Sequence, residues 1–303
     1  MRNIKKGFIL MVACVMLLTG CSLPGLSGPS KDTVKIGTLN TSESQIMGQI
    51  VKQLIEHHTD ANIAMVNNLG SSIVQHQAMM NGDVNITATR YTGTDLSGAL
   101  GLEPINDPDE ALRIVQEEFD KRFDQTWFDS YGFANSYAFT VRREVAEEYG
   151  LEKVSDVEAI ADDLRFGVDN SWLKRKGDGY EGFIDTYGFE FKEAFPMQIG
   201  LVYQAAESGK MDIVLAYTTD GRIKAFDLKV LEDDLNFFPP YDTSIVASND
   251  ILERHPELYD ILDKLSGQID TEMMQEMNYA ADGEMKEPAT IATEYLTSVN
   301  YFE

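Results

Sequence analysis

Gly82-Asp83-Val84-Asn85-Ile86-Thr87-Ala88-Thr89-Arg90-Tyr91-Thr92-Gly93-Thr94 and Gly209-Lys210-Met211-Asp212-Ile213-Val214-Leu215-Ala216-Tyr217-Thr218-Thr219 are two versions of one phrase. Each follows a helix-like run, places a glycine at its stop, passes through an apolar strand and ends on Tyr-Thr. Aligned on Gly82 and Gly209, the tyrosines fall nine and eight residues later. The repetition predicts two similar lobes, each delivering a Tyr-Thr pair where a strand ends. In open α/β sheets that carboxyl edge is where ligands sit. Two tyrosines facing each other across an interlobe cleft would offer π-faces to a desolvated cation.

The amino terminus bears on location. Arg2, Lys5 and Lys6 precede an apolar run from Gly7 to Leu18, twelve residues and too short to span a bilayer comfortably. The pattern is that of a signal peptide over residues 1–20. Leu18-Thr19-Gly20-Cys21 resembles a bacterial lipobox, in which the cysteine is acylated and becomes the first mature residue. Cys14 lies in the discarded segment and Cys21 would carry the lipid, so no thiol remains for a disulfide, a metal or catalysis. Residues 21–31, rich in Ser, Gly and Pro, read as the lipidated cysteine and a flexible tether.

Residues 1–20 hold three basic residues and no acid, so their loss takes the net charge from -25 to -28. That field repels phosphate backbones, which excludes nucleic acid as a partner. A neutral, zwitterionic or cationic small ligand suits it better.

After the tether, strands and helices alternate. Val34-Lys35-Ile36 reads as a strand, and Ser42 with Gln45 as a capping box for a helix burying Ile46, Met47, Ile50, Val51 and Leu54. Ile63 to Val66 is the next strand, Ser72 with Gln75 opens the next helix, and Val84 to Ala88 leads to Tyr91. This βαβαβ order predicts a mostly parallel sheet with covering helices. Asp107-Pro108-Asp109-Glu110 starts a further helix. The strand-like segment from Asn135 to Val141 reads as a crossing into a second lobe. There, helices are expected near Glu144 to Tyr149, Val157 to Leu164, Tyr180 to Tyr187 and Gly200 to Glu207, with a strand at Arg165 to Val168. Ser244 to Ala247 is the return strand, and helices at Pro256 to Leu265, Thr271 to Tyr279 and Pro288 to Leu296 complete the first lobe. The expected division is lobe I over 32–136 plus 241–303 and lobe II over 137–240. Two crossings between α/β lobes describe a hinge that closes on a ligand, the plan of a type II periplasmic-binding-protein-like fold.

Catalytic signatures are missing from the sequence: it has no GxSxG, HExxH or Walker A pattern. His57 and His58 point about 100° apart on a helix and make a poor chelate; with His76 and His255 they are expected at the surface. Acidic clusters such as Glu232-Asp233-Asp234 read as solvated turns. Tyr149, Tyr187 and Tyr259 read as packing residues. The chain therefore reads as a binder with no cofactor and no metal, not an enzyme.

The lipobox, the opening Lys35-Ile36-Gly37 to Ile46, Tyr91-Thr92-Gly93-Thr94, Asn135-Ser136-Tyr137-Ala138-Phe139, Ala216-Tyr217-Thr218-Thr219-Asp220 and Pro240-Tyr241 occur in this order. Together they resemble the substrate-binding lipoproteins of osmoprotectant ABC importers, above all the Gram-positive proteins for glycine betaine, carnitine and choline. The resemblance covers essentially the whole mature chain. It implies an aromatic cage for the quaternary ammonium at Tyr91, Tyr137, Tyr217 and Tyr241, of which the repeat alone had singled out Tyr91 and Tyr217. It also implies a permease partner, attachment to the outer face of the membrane through the lipid only, and a monomer.

A trimethylammonium group has no N–H, so it is selected by π-faces and shape. For the ligand's other end the resemblance points to Thr94, neutral where some choline-preferring relatives carry an acid. Relatives with a basic residue in the first-lobe loop differ here, because Leu39 occupies that place. The second basic position falls nearest Lys176, with Arg175 beside it. Two other readings stay open on the sequence, an amino acid or sugar receptor of the same fold and an extracytoplasmic α/β hydrolase.

Overall fold

The two glycine-centred phrases fold into the same turn, bond for bond. Gly82 and Gly209 both have positive φ, 72° and 68°, the left-handed conformation that glycine adopts without steric cost where a helix stops. Asp83 and Val84 donate their backbone N–H groups to the Ala78 carbonyl, and Lys210 and Met211 donate theirs to Ala205. Three residues past each glycine, the Asn85 and Asp212 side chains accept from the backbone N–H groups of Lys35 and Arg165. Each new strand is thereby registered against its neighbour. The computed structural model describes residues 32–169, 172–174 and 179–302.

The chain begins with β1 (Val34–Leu39), α1 (Ser42–His58), β2 (Ile63–Leu69), α2 (Ser72–Met80), β3 (Ile86–Tyr91), α3 (Thr92–Gly98), α4 (Pro108–Phe123) and β4 (Gln125–Ala134). Next come β5 (Tyr137–Arg142), α5 (Arg143–Tyr149), a 3-10 segment (Val154–Asp163), β6 (Phe166–Asp169), a short 3-10 turn (Trp172–Lys174) and α6 (Tyr180–Tyr187). They are followed by β7 (Ala194–Met197), α7 (Ile199–Glu207), β8 (Ile213–Tyr217), α8 (Gly221–Ala225) and β9 (Leu228–Val230). Finally, β10 (Asp242–Ser248) leads into α9 (Asn249–Arg254), α10 (Glu257–Asp263), α11 (Thr271–Asp282) and α12 (Pro288–Ser298).

These strands form two five-stranded sheets, ordered β2-β1-β3-β10-β4 and β7-β6-β8-β5-β9. Each has three parallel strands followed by an antiparallel pair, and the two Tyr-Thr strands, β3 and β8, take the same place in their sheets. The fold is thus a two-lobed α/β architecture with a mixed sheet in each lobe. Ile36, Ile46, Ile50 and Leu54 share a core with Met274 and Leu296, so α11 and α12 return to the first sheet. Around the second sheet the core is aromatic: Phe139 packs with Phe166, Trp172 and Phe183. Among the described residues no helix is long and apolar enough to cross a membrane.

Several expected boundaries move, each for a local reason. The strand expected from Val84 starts at Ile86, because the Asp83 and Val84 N–H groups are bound in the helix-stop turn. The caps of α1 and α2 are Thr41 and Ser71, one residue earlier than expected; their side chains accept from Ser44 N and Val74 N. The helix expected at Val157 to Leu164 is instead a 3-10 segment. Tyr149 and Tyr259, expected to pack, are about half exposed, whereas Tyr187 is buried and donates to Asp233. Asp233 also accepts from Phe237 N and Phe238 N, so it organises its loop. His76 is half-buried and lies edge-on to Phe119 and Phe123, not at the surface.

Candidate ligand-binding site

Each Tyr-Thr pair divides its labour between a cavity and a crossing. Thr92 Oγ1 donates to the Pro240 carbonyl at 2.9 Å, and Thr218 Oγ1 donates to that of Ala134 at 2.6 Å. Ala134 ends the last strand before the chain leaves the first sheet, and Pro240 lies just before it returns on β10. The threonines thus staple the ends of β3 and β8 to the two crossings, while the tyrosines beside them turn to the space between the sheets. Gly93 completes the first phrase. A Cβ there would lie 2.6 Å from the Pro240 carbonyl oxygen and 3.3 Å from the Tyr241 ring, so only glycine lets both come so close.

Tyr91, Tyr137, Tyr217 and Tyr241 all line one cavity of about 420 Å³, together with Thr94. Tyr137 opens β5 and Tyr217 ends β8, directly opposite each other in antiparallel register. Their ring centroids are 5.0 Å apart and their hydroxyls 3.4 Å apart. Tyr137 is also 5.9 Å from Phe238 behind it, and Tyr217 N donates to the Tyr203 hydroxyl at 3.0 Å. Tyr241 reaches the cavity from the return crossing, one residue before β10. The rest of the lining is Leu39, Thr41, Ser72 and Asn135. Among the described residues, every one that lines it is uncharged. Lys176, its neighbour Arg175 and Cys21 lie outside the described residues.

Sequence reasoning passed over Thr41, Ser72, Asn135 and Glu43 as site residues. Thr41 and Ser72 sit where β1 and β2 hand over to helices, the same carboxyl edge that singled out Tyr91, so the edge rule would have reached them. Glu43, in the first turn of α1, is buried behind the tyrosines and accepts the Tyr91 hydroxyl at 2.8 Å. Burial pushes its carboxyl pKa up, against hydrogen bonds from Thr219, Tyr91, Asn135 and Asn278 that pull it down. Burial, with the Glu43 charge second, holds the Tyr91 phenol well above its usual range, so it remains a donor. Below this strand end, Arg90 and Asp95 form a fully buried ion pair, Nε to Oδ2 at 2.8 Å, that fixes the first turn of α3 and with it Thr94.

Chemically, the described lining holds four π-faces, the hydroxyls of Thr41, Ser72 and Thr94 beside those of the tyrosines, and one amide. It has no nucleophile beside a base, and no group of three metal-ligating side chains occurs among the described residues. It can hold a cation that lacks hydrogen-bond donors while hydroxyls meet its polar end.

Residues 32–298 match the family model described as the substrate binding domain of the ABC-type glycine betaine transport system. The chain belongs to this family. It is therefore the solute-capturing component of such a system. It is 56% identical over 304 residues to the carnitine transport binding protein OpuCC of Listeria monocytogenes, covering 99% of both chains. It is 32% identical over 261 residues to EgtU of Helicobacter pylori, an ergothioneine transport permease/ergothioneine binding protein; the match takes in 86% of this chain and 46% of that one. A crystal structure described as a glycine betaine/carnitine/choline ABC transporter superposes with a TM-score of 0.87 at 56% identity, over 89% of this chain and 100% of the other.

Proposed function

We propose that this protein captures trimethylammonium solutes, namely glycine betaine, carnitine and choline, between its four cavity tyrosines and delivers them to an ABC permease. The observation that carries the reading is the convergence of Tyr91, Tyr137, Tyr217 and Tyr241, from both sheets and both crossings, on one cavity whose described lining is uncharged. An amino acid's α-ammonium carries N–H donors that would need a charged acceptor in the wall, which the described lining lacks, whereas a trimethylammonium group has no N–H to satisfy. The ligand named for OpuCC supports the same class, and the joint permease and binding-protein name of EgtU supports a permease partner. The role is capture without chemistry, and it assigns lobe I to 32–136 plus 241–303 and lobe II to 137–240. Lys176 is proposed to approach the ligand's carboxylate from the second lobe, and Cys21 to tether a monomer to the outer face of the membrane.

Isothermal titration with the three solutes tests this directly. In a desolvated cavity each cation–π contact is worth roughly 1 to 2 kcal/mol, so alanine at any of the four tyrosines should weaken binding about 5- to 30-fold, while phenylalanine keeps most of it. If alanine at three or more positions leaves all three affinities within about 2-fold of the parent, a change of only ~0.4 kcal/mol, the tyrosine cavity is not the site.

A further inference from the structure

A carboxylate stands behind the tyrosine shell with no positive partner bonded to it among the described residues. Glu43 is 4% exposed. Its Oε1 accepts the Tyr91 hydroxyl at 2.8 Å and the Asn135 amide at 3.1 Å, and its Oε2 accepts the same amide at 3.3 Å. Thr219 and Asn278 line the chamber beside it. All four neighbours are neutral, so nothing bonded to Glu43 cancels its charge. Burying a carboxylate among neutral groups disfavours folding, and a glutamine would satisfy most of these donors without a charge. The acid is explained if its counter-ion arrives with the ligand.

Building on the function proposed above, we infer that Glu43 is the counter-charge of the bound quaternary ammonium, acting behind Tyr91 to favour cations over neutral molecules of the same shape. Two effects act in the same direction. The carboxylate draws the Tyr91 proton toward itself, which enriches the ring face in electron density. Its own charge also reaches the cation: a unit charge about 8 Å away at an effective dielectric of about 20 changes a binding constant roughly 10- to 30-fold. Choline, a net cation, gains most, and glycine betaine, whose carboxylate meets the same field, gains less.

The other ionisable groups facing Glu43 are Tyr91 at the end of β3, Tyr217 at the end of β8, Asp220 after it and Asp282 in α11. Asp220 is paired with Arg222, and Asp282 accepts from the Ser42 hydroxyl at 2.5 Å. Tyr91, its phenol raised by burial, does not titrate between mildly acidic and neutral pH, and neither does choline.

The test compares choline with dimethylbutanol, its uncharged isostere in which carbon replaces the ammonium nitrogen. Glu43→Gln should weaken choline about 10-fold and leave the isostere within about 2-fold. In the parent, choline affinity should fall as pH drops through the raised Glu43 pKa, because protonation removes the charge; in Glu43→Gln the profile should be flat. Glu43→Asp, which keeps a charge, should keep the acid-side fall, and it decides the matter if the glutamine variant is poorly folded. Equal losses of choline and isostere, or a pH profile that persists in Glu43→Gln, would overturn the counter-charge and leave Glu43 a structural prop. A parent protein that binds no trimethylammonium compound would overturn the function proposed above together with this inference.

Discussion

Gly221 opens α8 with no room for a side chain. A Cβ there would lie 2.3 Å from the Tyr279 backbone nitrogen and 2.5 Å from its Cα, whereas ordinary contact begins at 3.4 Å. The obstacle is the backbone of α11, which belongs to the core of the first sheet, while α8 follows the central strand of the second. The two bodies are further bonded here by Gln275 Nε2 to the Thr218 carbonyl at 2.6 Å and Asn278 Nδ2 to that of Thr219 at 2.8 Å. Gly221→Ala should therefore push the helices apart by about 1 Å, the gap between the built contact and an ordinary one, and overpacking of this kind costs about 1–3 kcal/mol. The tyrosine cavity begins next to this contact, since its neighbouring chamber is lined by Thr219, Asp220 and Asn278 and shares Tyr217 with it. Parting one wall by that distance should forfeit about one cation–π contact, or roughly a 5- to 30-fold loss of affinity for choline and glycine betaine. Titration calorimetry reads the affinity, and a thermal melt reads a fall of several degrees. Gly70→Ala is the control: a Cβ at Gly70 meets nothing within 4 Å, so both readouts should stay at the parent values. Unchanged affinity and melting in Gly221→Ala would show that the lobes do not pivot against this contact.

Three further outcomes are expected. Thr94→Asp places a negative charge in the cavity and should weaken glycine betaine about 10-fold more than choline, because it repels the betaine carboxylate and tolerates a hydroxyl; titration of both ligands shows whether the losses differ. Arg90→Met strands Asp95 without its partner and should destabilise the protein by about 3–5 kcal/mol, much of it recovered in Arg90→Met/Asp95→Leu, as measured by urea unfolding. Cys21→Ser should move the protein from the membrane to the soluble fraction while ligand affinity stays unchanged; fractionation of producing cells distinguishes the two.

The repeated phrase made the double-sheet plan legible because each step of it is local: a helix stop, a strand and an edge residue. Beyond it, β4 escaped the sequence reading. Gly132, at a φ of 113°, and irregular pairing with β10 break the alternation that would announce a ten-residue strand. Short edge strands β7 and β9 escaped for want of length, and Pro196 further disguises β7. Tyr91 and Tyr217 could be singled out because they repeat, whereas Tyr137 and Tyr241 depended on resemblance. Glu43 was hidden for a different reason. In sequence it is an ordinary first-turn acid, favourable to the helix dipole, and only the approach of Tyr91 and Asn135 from other elements makes it part of the site.

The threonine staples bear on how ligand preference can change over generations. A substitution at Tyr91 or Tyr217 alters a wall whose backbone neighbour, Thr92 or Thr218, holds a crossing strand in place. Wall and crossing are therefore inherited as one unit, and drift in these dipeptides must carry the crossings with it. Leu39, Ser72 and Thr94 reach the same cavity from side chains that hold no crossing. They are the positions at which a lineage can retune what it imports while the threonine staples stay intact.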